Sequence, residues 1–354
     1  MSDTTLPVRQ LGSTGMHLST VGLGAWVMGG NDWEYAWGDQ DDADSIATVH
    51  RAAAAGVNWI DTAPAYGLGH SEDVVGRAVA ALPAADRPYL FTKAGLVWDD
   101  PGRRTSAPRR VMTAASVRRE LEGSLRRLRV DHIDLYQVHW PADGTLLSFG
   151  DDPAPAVAAT PLEEYWQTMA DLRTEGKVRA IGLSNHSVAE LVRAERVAHV
   201  DAIQPPFSAL ARQAADEIAW GAAHGTGVIG YQPMHSGLLT GAFDAGRVAA
   251  LPANDWRRGH PDFTVHLDRN LRVVEALRVV ATRHDTTVAA VAVAWTLAWR
   301  GVTGAIVGAR RPDQVNGWTP AAGLALSQGD LAEVAAAVTD SGAGVGPAWP
   351  GVPA

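Results

Sequence analysis

The chain contains no cysteine. Disulfides, thiolate nucleophiles and cysteine-ligated metals are therefore excluded. Lysine is almost absent: of 30 basic residues, only Lys93 and Lys177 are lysines. Arginine is planar and permanently charged, whereas lysine is a compact, tunable point charge. A lysine kept against the arginine bias marks a position that arginine cannot fill. There is no excess of positive charge either. The formal net charge of −9 over 354 residues argues against nucleic acid and anionic membrane surfaces as partners. Long apolar runs are missing too. The longest near-apolar stretch, "VAAVAVAWTLAW" (288–299), falls short of the ~20 residues a membrane helix needs and reads as a core helix. The polar start "MSDTTLPVRQ" shows no apolar targeting segment. Together these features lead us to expect a cytoplasmic protein.

What is present is an alternation. Short apolar runs, rich in β-branched and aromatic residues, lie at 20–24, 57–61, 89–93, 133–139, 178–184, 201–204, 227–232 and 304–308. Between them lie helical patterns at 42–55, 71–81, 114–129, 162–175, 187–198, 213–223 and 270–284. In 114–129, Val117, Leu121, Leu125 and Leu128 share one face and arginines the other. Strands alternating with helices predict parallel βα units. Eight strands predict a single-domain (β/α)8 barrel, which takes ~250 residues before loop insertions. A doubly wound sheet competes, but "GLGAWV" (22–27) places Val27 where the dinucleotide fingerprint needs its third glycine. No linker breaks the alternation. Residues 1–340 are therefore read as one barrel, and 341–354 as an irregular Pro/Gly-rich tail that either covers the barrel mouth or stays free. Three long segments, 94–112, 141–161 and 240–269, follow strands and belong to the C-terminal mouth, where barrel enzymes build their sites.

Polar groups terminate three successive apolar strands. Asp61 ends the second, with Tyr66 in the turn beyond; Lys93 ends the third; His139 ends the fourth. Each alone has a plainer reading: a helix cap, a packing aromatic, a surface ammonium, a rim histidine. Brought together at one mouth, they make a proton-delivery unit. A free phenol has a pKa of about 10, too high for efficient proton transfer at neutral pH. A neighbouring ammonium is expected to lower it, and a buried ammonium needs a carboxylate partner. The imidazole can orient a substrate oxygen. No side chain donates hydride, so a nicotinamide cofactor is implied.

These motifs resemble those of the aldo-keto reductases, an NADP-dependent (β/α)8-barrel family. "NWIDTAPAYG" looks like the family's first signature, "IDLYQVHW" like its histidine strand, and "VRAIGLSN" like the strand that presents Ser and Asn to the nicotinamide. The similarity runs from about 8 to 318. It implies a catalytic tetrad of Asp61, Tyr66, Lys93 and His139, all four matching. It implies cofactor contacts from Gly24, Ala25, Trp26 and Asp61 at the early strand ends. Ser184, Asn185 and Gln204 are assigned to the carboxamide, and Tyr231 to stacking on the nicotinamide ring. Pro233, Ser236, Gly237, Leu238 and Gly241 are assigned to the pyrophosphate segment. Gly308, Arg310, Arg311 and Gln314 are assigned to the adenosine ribose, with the arginines suited to a 2′-phosphate and hence to NADP(H). Gly317 and Trp318 stand where the family has the Glu and Asn that hold the adenine; stacking of Trp318 on adenine is one substitute.

The substrate end is expected to be aromatic. Thirteen tryptophans stand against five phenylalanines. Trp26, Trp33, Trp98 and Trp140 are read as walls of a pocket for a small-molecule carbonyl or alcohol, although some of the mouth tryptophans serve only as loop anchors. The arginine-rich loop 100–110 is a further candidate for contact with substrate or cofactor. The leading expectation is reversible reduction of an aldehyde or ketone. A second is an NADP-binding regulatory subunit on the same barrel with little turnover, as in the β subunits of voltage-gated potassium channels. A metal-dependent barrel hydrolase would need clustered His/Asp ligands. "TVGLGAW" supplies none, so no metal is assigned.

Overall fold

A computed structural model describes residues 6–349, apart from 32, 101, 103–105, 148–156 and 253–254. Eight parallel strands close into a barrel. They are β1 (Val21–Gly24), β2 (Trp59–Asp61), β3 (Tyr89–Ala94), β4 (Ile133–Val138), β5 (Val178–Ser184), β6 (Ala202–Gln204), β7 (Gly227–Gly230) and β8 (Gly304–Gly308). Each pairs with the next, and β8 closes on β1 through Ala305↔Val21 to Gly308↔Gly24. The helices that alternate with the strands include α1 (Asp42–Ala54), α2 (His70–Ala80), α3 (Ala114–Leu128), α4 (Leu162–Thr174), α5 (Val188–Glu195) and α6 (Ala215–His224). After β7 come α7 (Ala245–Ala249), α8 (Leu267–Arg283) and α9 (Val288–Ala298); after β8 come α10 (Pro312–Trp318) and α11 (Gln328–Ser341). Short polar side chains cap several of the starts. Asp41 accepts from Ala43 N and Asp44 N, and Thr113 accepts from Ser116 N.

The barrel interior is built in layers two residues apart, because successive side chains of a strand face opposite ways. The lower layer is apolar. Trp59, Phe91, Leu135, Ala180, Ala202, Ile229 and Ile306 form one buried cluster. Leu11, Met16 and Leu18 belong to the same cluster. They come from an antiparallel hairpin, Val8–Gln10 with His17–Ser19, that stoppers this end of the barrel. Trp59 is the largest member. Its indole donates to Ser19 O at 2.7 Å, and a Cβ on Gly22 would lie 2.1 Å from its ring. Only glycine leaves room for it there. Two residues further along β2, β3, β4 and β6 stand Asp61, Lys93, Gln137 and Gln204. The same period that plugs the barrel with hydrocarbon therefore caps it with a polar layer.

Some features were not foreseen. Short antiparallel strands Leu96–Val97 and Arg109–Arg110 fold part of the 94–112 loop into a hairpin. Two-residue strands carry no periodic signal. Helix α11 occupies a stretch outside the predicted helical patterns, and the irregular tail begins only after it. Arg212, 2% exposed, donates to the carbonyls of Ala209, Ala343, Gly346 and Pro347, and Ala211 bridges Val345. Residues 343–347 are thus pinned to the connection after β6. The last five residues of the tail, and part of the arginine-rich loop, lie outside the described residues.

Candidate active site

The polar layer is one hydrogen-bonded unit. Lys93 Nζ donates to Asp61 Oδ1 at 2.5 Å, to Thr62 O at 2.9 Å and to Tyr66 Oη at 3.1 Å. Its three N–H bonds are thereby used. Asp61 Oδ2 accepts from Gln137 Nε2 at 3.1 Å and Gln204 Nε2 at 2.8 Å. Gln204 Nε2 also donates to Gln137 Oε1 at 3.0 Å. Lys93 is fully buried and Asp61 is 2% exposed, so the ion pair works in a low dielectric. Tyr66 reaches the layer from the turn after β2, where Gly67 takes a left-handed φ of 63°. A Cβ there would lie 1.9 Å from Gly29 O. His139 follows β4, its backbone N–H donating to Ala94 O at 2.9 Å, and its ring meets the Tyr66 ring edge to face at 5.7 Å. The four residues expected from three successive strand ends therefore converge.

Burial dominates the electrostatics. It pushes the Tyr66 phenol well above its ordinary value, and the Asp61 carboxylate adds to the effect. This corrects the expectation that the neighbouring ammonium would lower it: at neutral pH the phenol holds its proton. Burial draws Lys93 down, opposed by Asp61. Burial, with the Lys93 charge, holds His139 well below the usual imidazole range. His139 is neutral, with one N–H to donate and one lone pair.

Beyond His139, a second set of polar groups spans three strand ends. Ser184 Oγ donates to Gln204 O at 2.8 Å. Asn185, in a left-handed conformation (φ 62°), donates from Nδ2 to His139 O at 2.9 Å and Ser184 Oγ at 3.1 Å. Its Oδ1 accepts from Tyr231 Oη at 2.9 Å. The amide nitrogens of Asn185 and Gln204 are thus committed to the protein. Their amide oxygens retain acceptor capacity for the N–H groups of a carboxamide, so these acceptors fit a nicotinamide.

At the rim, Trp26 packs on Tyr66 at 5.0 Å between ring centroids, and Trp33 lies 6.4 Å from it. Tyr35, Trp98 and Leu147 belong to the same cluster, with Trp140 against it. Several of these tryptophans also anchor loops. The indole N–H groups of Trp26, Trp33 and Trp98 donate to Tyr35 O, Gly30 O and Ser106 O. The Arg110 guanidinium sits 5.1 Å over Trp140.

The remaining candidates lie around the ends of β7, β8 and β1. His235, Ser236 and Gly237 are three consecutive left-handed residues, at φ 47°, 55° and 92°. Gly241 is left-handed as well, Pro233 and Leu238 are buried, and Arg257 donates to Ser236 O at 3.1 Å. Gly24 lies between Asp61 and Gly308 across the sheet, and Ala25 N donates to Asp61 O. At the other end, the two arginines part company. Arg310 donates to Trp37 O, Asp39 O and Gln40 Oε1. It is occupied in holding the loop after β1. Arg311 is exposed beside Asp313 at 3.3 Å. Gln314 Oε1 accepts from the backbone N–H groups of Arg310 and Arg311, at 2.7 and 3.4 Å. Trp318 is 2% exposed within the core. Its proposed stacking on adenine is thereby ruled out, because its position in α10 turns it inward.

Gln137 stands two residues before His139, on the same face by period, and carried no expected role. A polar side chain among apolar residues of a buried strand was the signal. A further set, buried Thr92 Oγ1 and half-buried Arg127 on the buried Glu72 carboxylate, braces β3 against α2 and α3. Its members are far apart in sequence and carried no local sign. Among the described residues, no group of three His, Cys, Asp or Glu is placed to hold a metal ion, and no helix is long and apolar enough to cross a membrane.

Comparison with known proteins points the same way. The sequence pattern of the aldo/keto reductase family matches residues 20–339. The chain is 33% identical over 327 residues to the aldo-keto reductase YhdN of Bacillus subtilis (strain 168), covering 92% of this chain and 91% of the relative. It is 31% identical over 332 residues to the NADH-specific methylglyoxal reductase of Escherichia coli (strain K12), covering 90% and 94%. Its structure is similar to that of a glycerol dehydrogenase from Gluconobacter oxydans, with a TM-score of 0.80, 33% identity and coverage of 96% and 97%.

Proposed function

The chain belongs to the aldo/keto reductase family, and we propose that it is an NADP(H)-dependent oxidoreductase that reduces an aldehyde or ketone to an alcohol, reversibly. The observation that carries this reading is the buried run Asp61–Lys93–Tyr66 with neutral His139 beside it. When bound at Ser184, Asn185, Gln204 and Tyr231, a reduced nicotinamide supplies the hydride that no side chain can. Tyr66 Oη holds a proton and gives it to the carbonyl oxygen as negative charge develops there. Lys93, fixed by Asp61, Thr62 and Tyr66, stabilises the phenolate left behind. His139 donates its N–H to the same oxygen and orients it. In reverse, the phenolate accepts the alcohol proton. Further cofactor contacts of this reading are Gly24, Ala25 and Trp26, the pyrophosphate residues Pro233, Ser236, Gly237, Leu238 and Gly241, and Gly308 and Gln314 on the ribose side.

Trp26, Trp33, Trp98 and Trp140 wall the substrate side, which suits a small carbonyl compound or alcohol. Relatives named for methylglyoxal reduction and glycerol dehydrogenation fit that class. For the 2′-phosphate, Arg311 is the better candidate, since Arg310 is spent on loop carbonyls. We place the protein in the cytoplasm. Tyr66→Phe tests the central assignment. It should retain NADPH binding, read as tryptophan quenching, and lose carbonyl reduction by orders of magnitude; unchanged turnover would remove Tyr66 from the chemistry.

A further inference from the structure

The turn that carries Asn185 is held from outside the barrel as well as from within. His186 lies next to Asn185 and is 6% exposed, and its ring turns back on the turn itself. Its Nδ1 meets Ser184 O at 2.7 Å, and its Nε2 meets Tyr165 Oη at 2.9 Å. A carbonyl oxygen only accepts, so Nδ1 carries the hydrogen. In the neutral ring Nε2 is then the acceptor, and the Tyr165 hydroxyl donates to it. Tyr165 is itself 2% exposed and comes from α4, an element that contributes nothing else to the site. Its ring meets the imidazole edge to face at 6.2 Å. Burial holds His186 below the ordinary imidazole range, which keeps the ring in this neutral form.

We propose that Tyr165 and His186 are a positioning pair that fixes the Ser184–Asn185 turn, and with it the nicotinamide end of the cofactor site. The inference rests on the assignment of Asn185 to the carboxamide. The physical reason lies in the backbone. Asn185 holds a left-handed φ of 62°, which asparagine tolerates better than other side chains but which still costs energy unless neighbouring groups hold the turn. Asn185 uses its own amide for two strand ends and Tyr231. The chain on its far side is left to His186, whose imidazole ties the turn back to Ser184 O. The hydroxyl of Tyr165 fixes the tautomer and the ring plane. The arrangement parallels the way an outer hydrogen bond orients a histidine that performs a task in a site.

The test separates the two ends of the cofactor. Tyr165→Phe keeps the ring and removes the donor. NADPH affinity, measured by titration calorimetry, should weaken ~5–10-fold, the loss of one buried hydrogen bond. Affinity for ADP-ribose, which carries the pyrophosphate and adenosine but no nicotinamide, should stay within about twofold. His186→Leu should weaken NADPH similarly, and the double variant should lose no more than either alone, as expected of groups acting as a unit. Unchanged NADPH affinity in Tyr165→Phe overturns the pairing. So does an equal loss for NADPH and ADP-ribose, which would mean a general structural defect. Asn185→Ala distinguishes the two levels of the argument. If it weakens NADPH while Tyr165→Phe does not, only the brace fails; if it binds NADPH as the wild type does, the carboxamide assignment fails and the brace with it.

Discussion

Lys93→Met removes one partner of an ion pair buried on both sides, with side-chain exposures of 0% and 3%. Breaking such a pair costs about 3–5 kcal/mol, because the remaining charge is left in a low dielectric. Asp61 keeps two donors, Gln137 at 3.1 Å and Gln204 at 2.8 Å, so the lower end, about 3 kcal/mol, is expected. That is a factor of ~150 in the ratio of folded to unfolded protein. At about 2 °C per kcal/mol for a large domain, the melting temperature should fall by ~6 °C. The decisive comparison is with Lys93→Met combined with Asp61→Asn. This removes both charges while an amide oxygen still accepts from Gln137 and Gln204, so the double variant should recover most of the lost stability while remaining inactive. Urea unfolding of the wild type, both single variants and the double variant closes the cycle. A double variant less stable than Lys93→Met would refute the claim that the unpaired carboxylate is what destabilises the single one.

The other predictions concern charge and cofactor choice. Burial raises the Glu120 carboxyl to about 7, with Gly95 N and Ser116 Oγ hydrogen-bonded to it. Below its unfolded pKa this carboxyl is protonated in both states. As pH rises from ~4.5 through ~7, the unfolded state loses its proton first, and up to ~3 kcal/mol of stability is lost. Glu120→Gln should flatten that decline, seen as a higher melting temperature at pH 8 and little change at pH 4.5; parallel profiles would contradict it. Arg311→Ala should lower the preference for NADPH over NADH by about tenfold, measured as a ratio of Kd values. Arg310→Ala should weaken both dinucleotides alike, because it frees the loop of Trp37 and Asp39 rather than a phosphate contact. A selective NADPH loss in Arg310→Ala would return the 2′-phosphate to that residue.

The legibility of this protein follows the range of the interactions involved. Strand periodicity is local, and a two-residue period in "IDLYQVH" or "VNWID" is enough to say which side chains share a face. Eight such runs separated by helices leave few alternatives to a closed parallel barrel. Asp61, Lys93 and His139 could therefore be placed at one mouth from spacing alone, with Gln137 on the same face. The hairpin that plugs the barrel, α11 and the Arg212 anchor of the tail gave little such signal. They are held by contacts between segments distant in the chain.

The sequence by itself determined the barrel, the order of its strands and the chemical types gathered at its C-terminal end, because these follow from short-range periodicity. Only the tertiary structure decided what state those groups are in and which are free. Tyr66 keeps its proton because the folded chain excludes water from it, which no neighbour in the sequence reveals. Arg310 and Arg311 are adjacent and chemically identical, yet one is consumed by carbonyls some 270 residues away and the other faces solvent. Trp318 was a candidate for adenine until its helix turned it into the core. Burial and long-range hydrogen bonding are properties of the packed molecule, and they set proton affinity and availability.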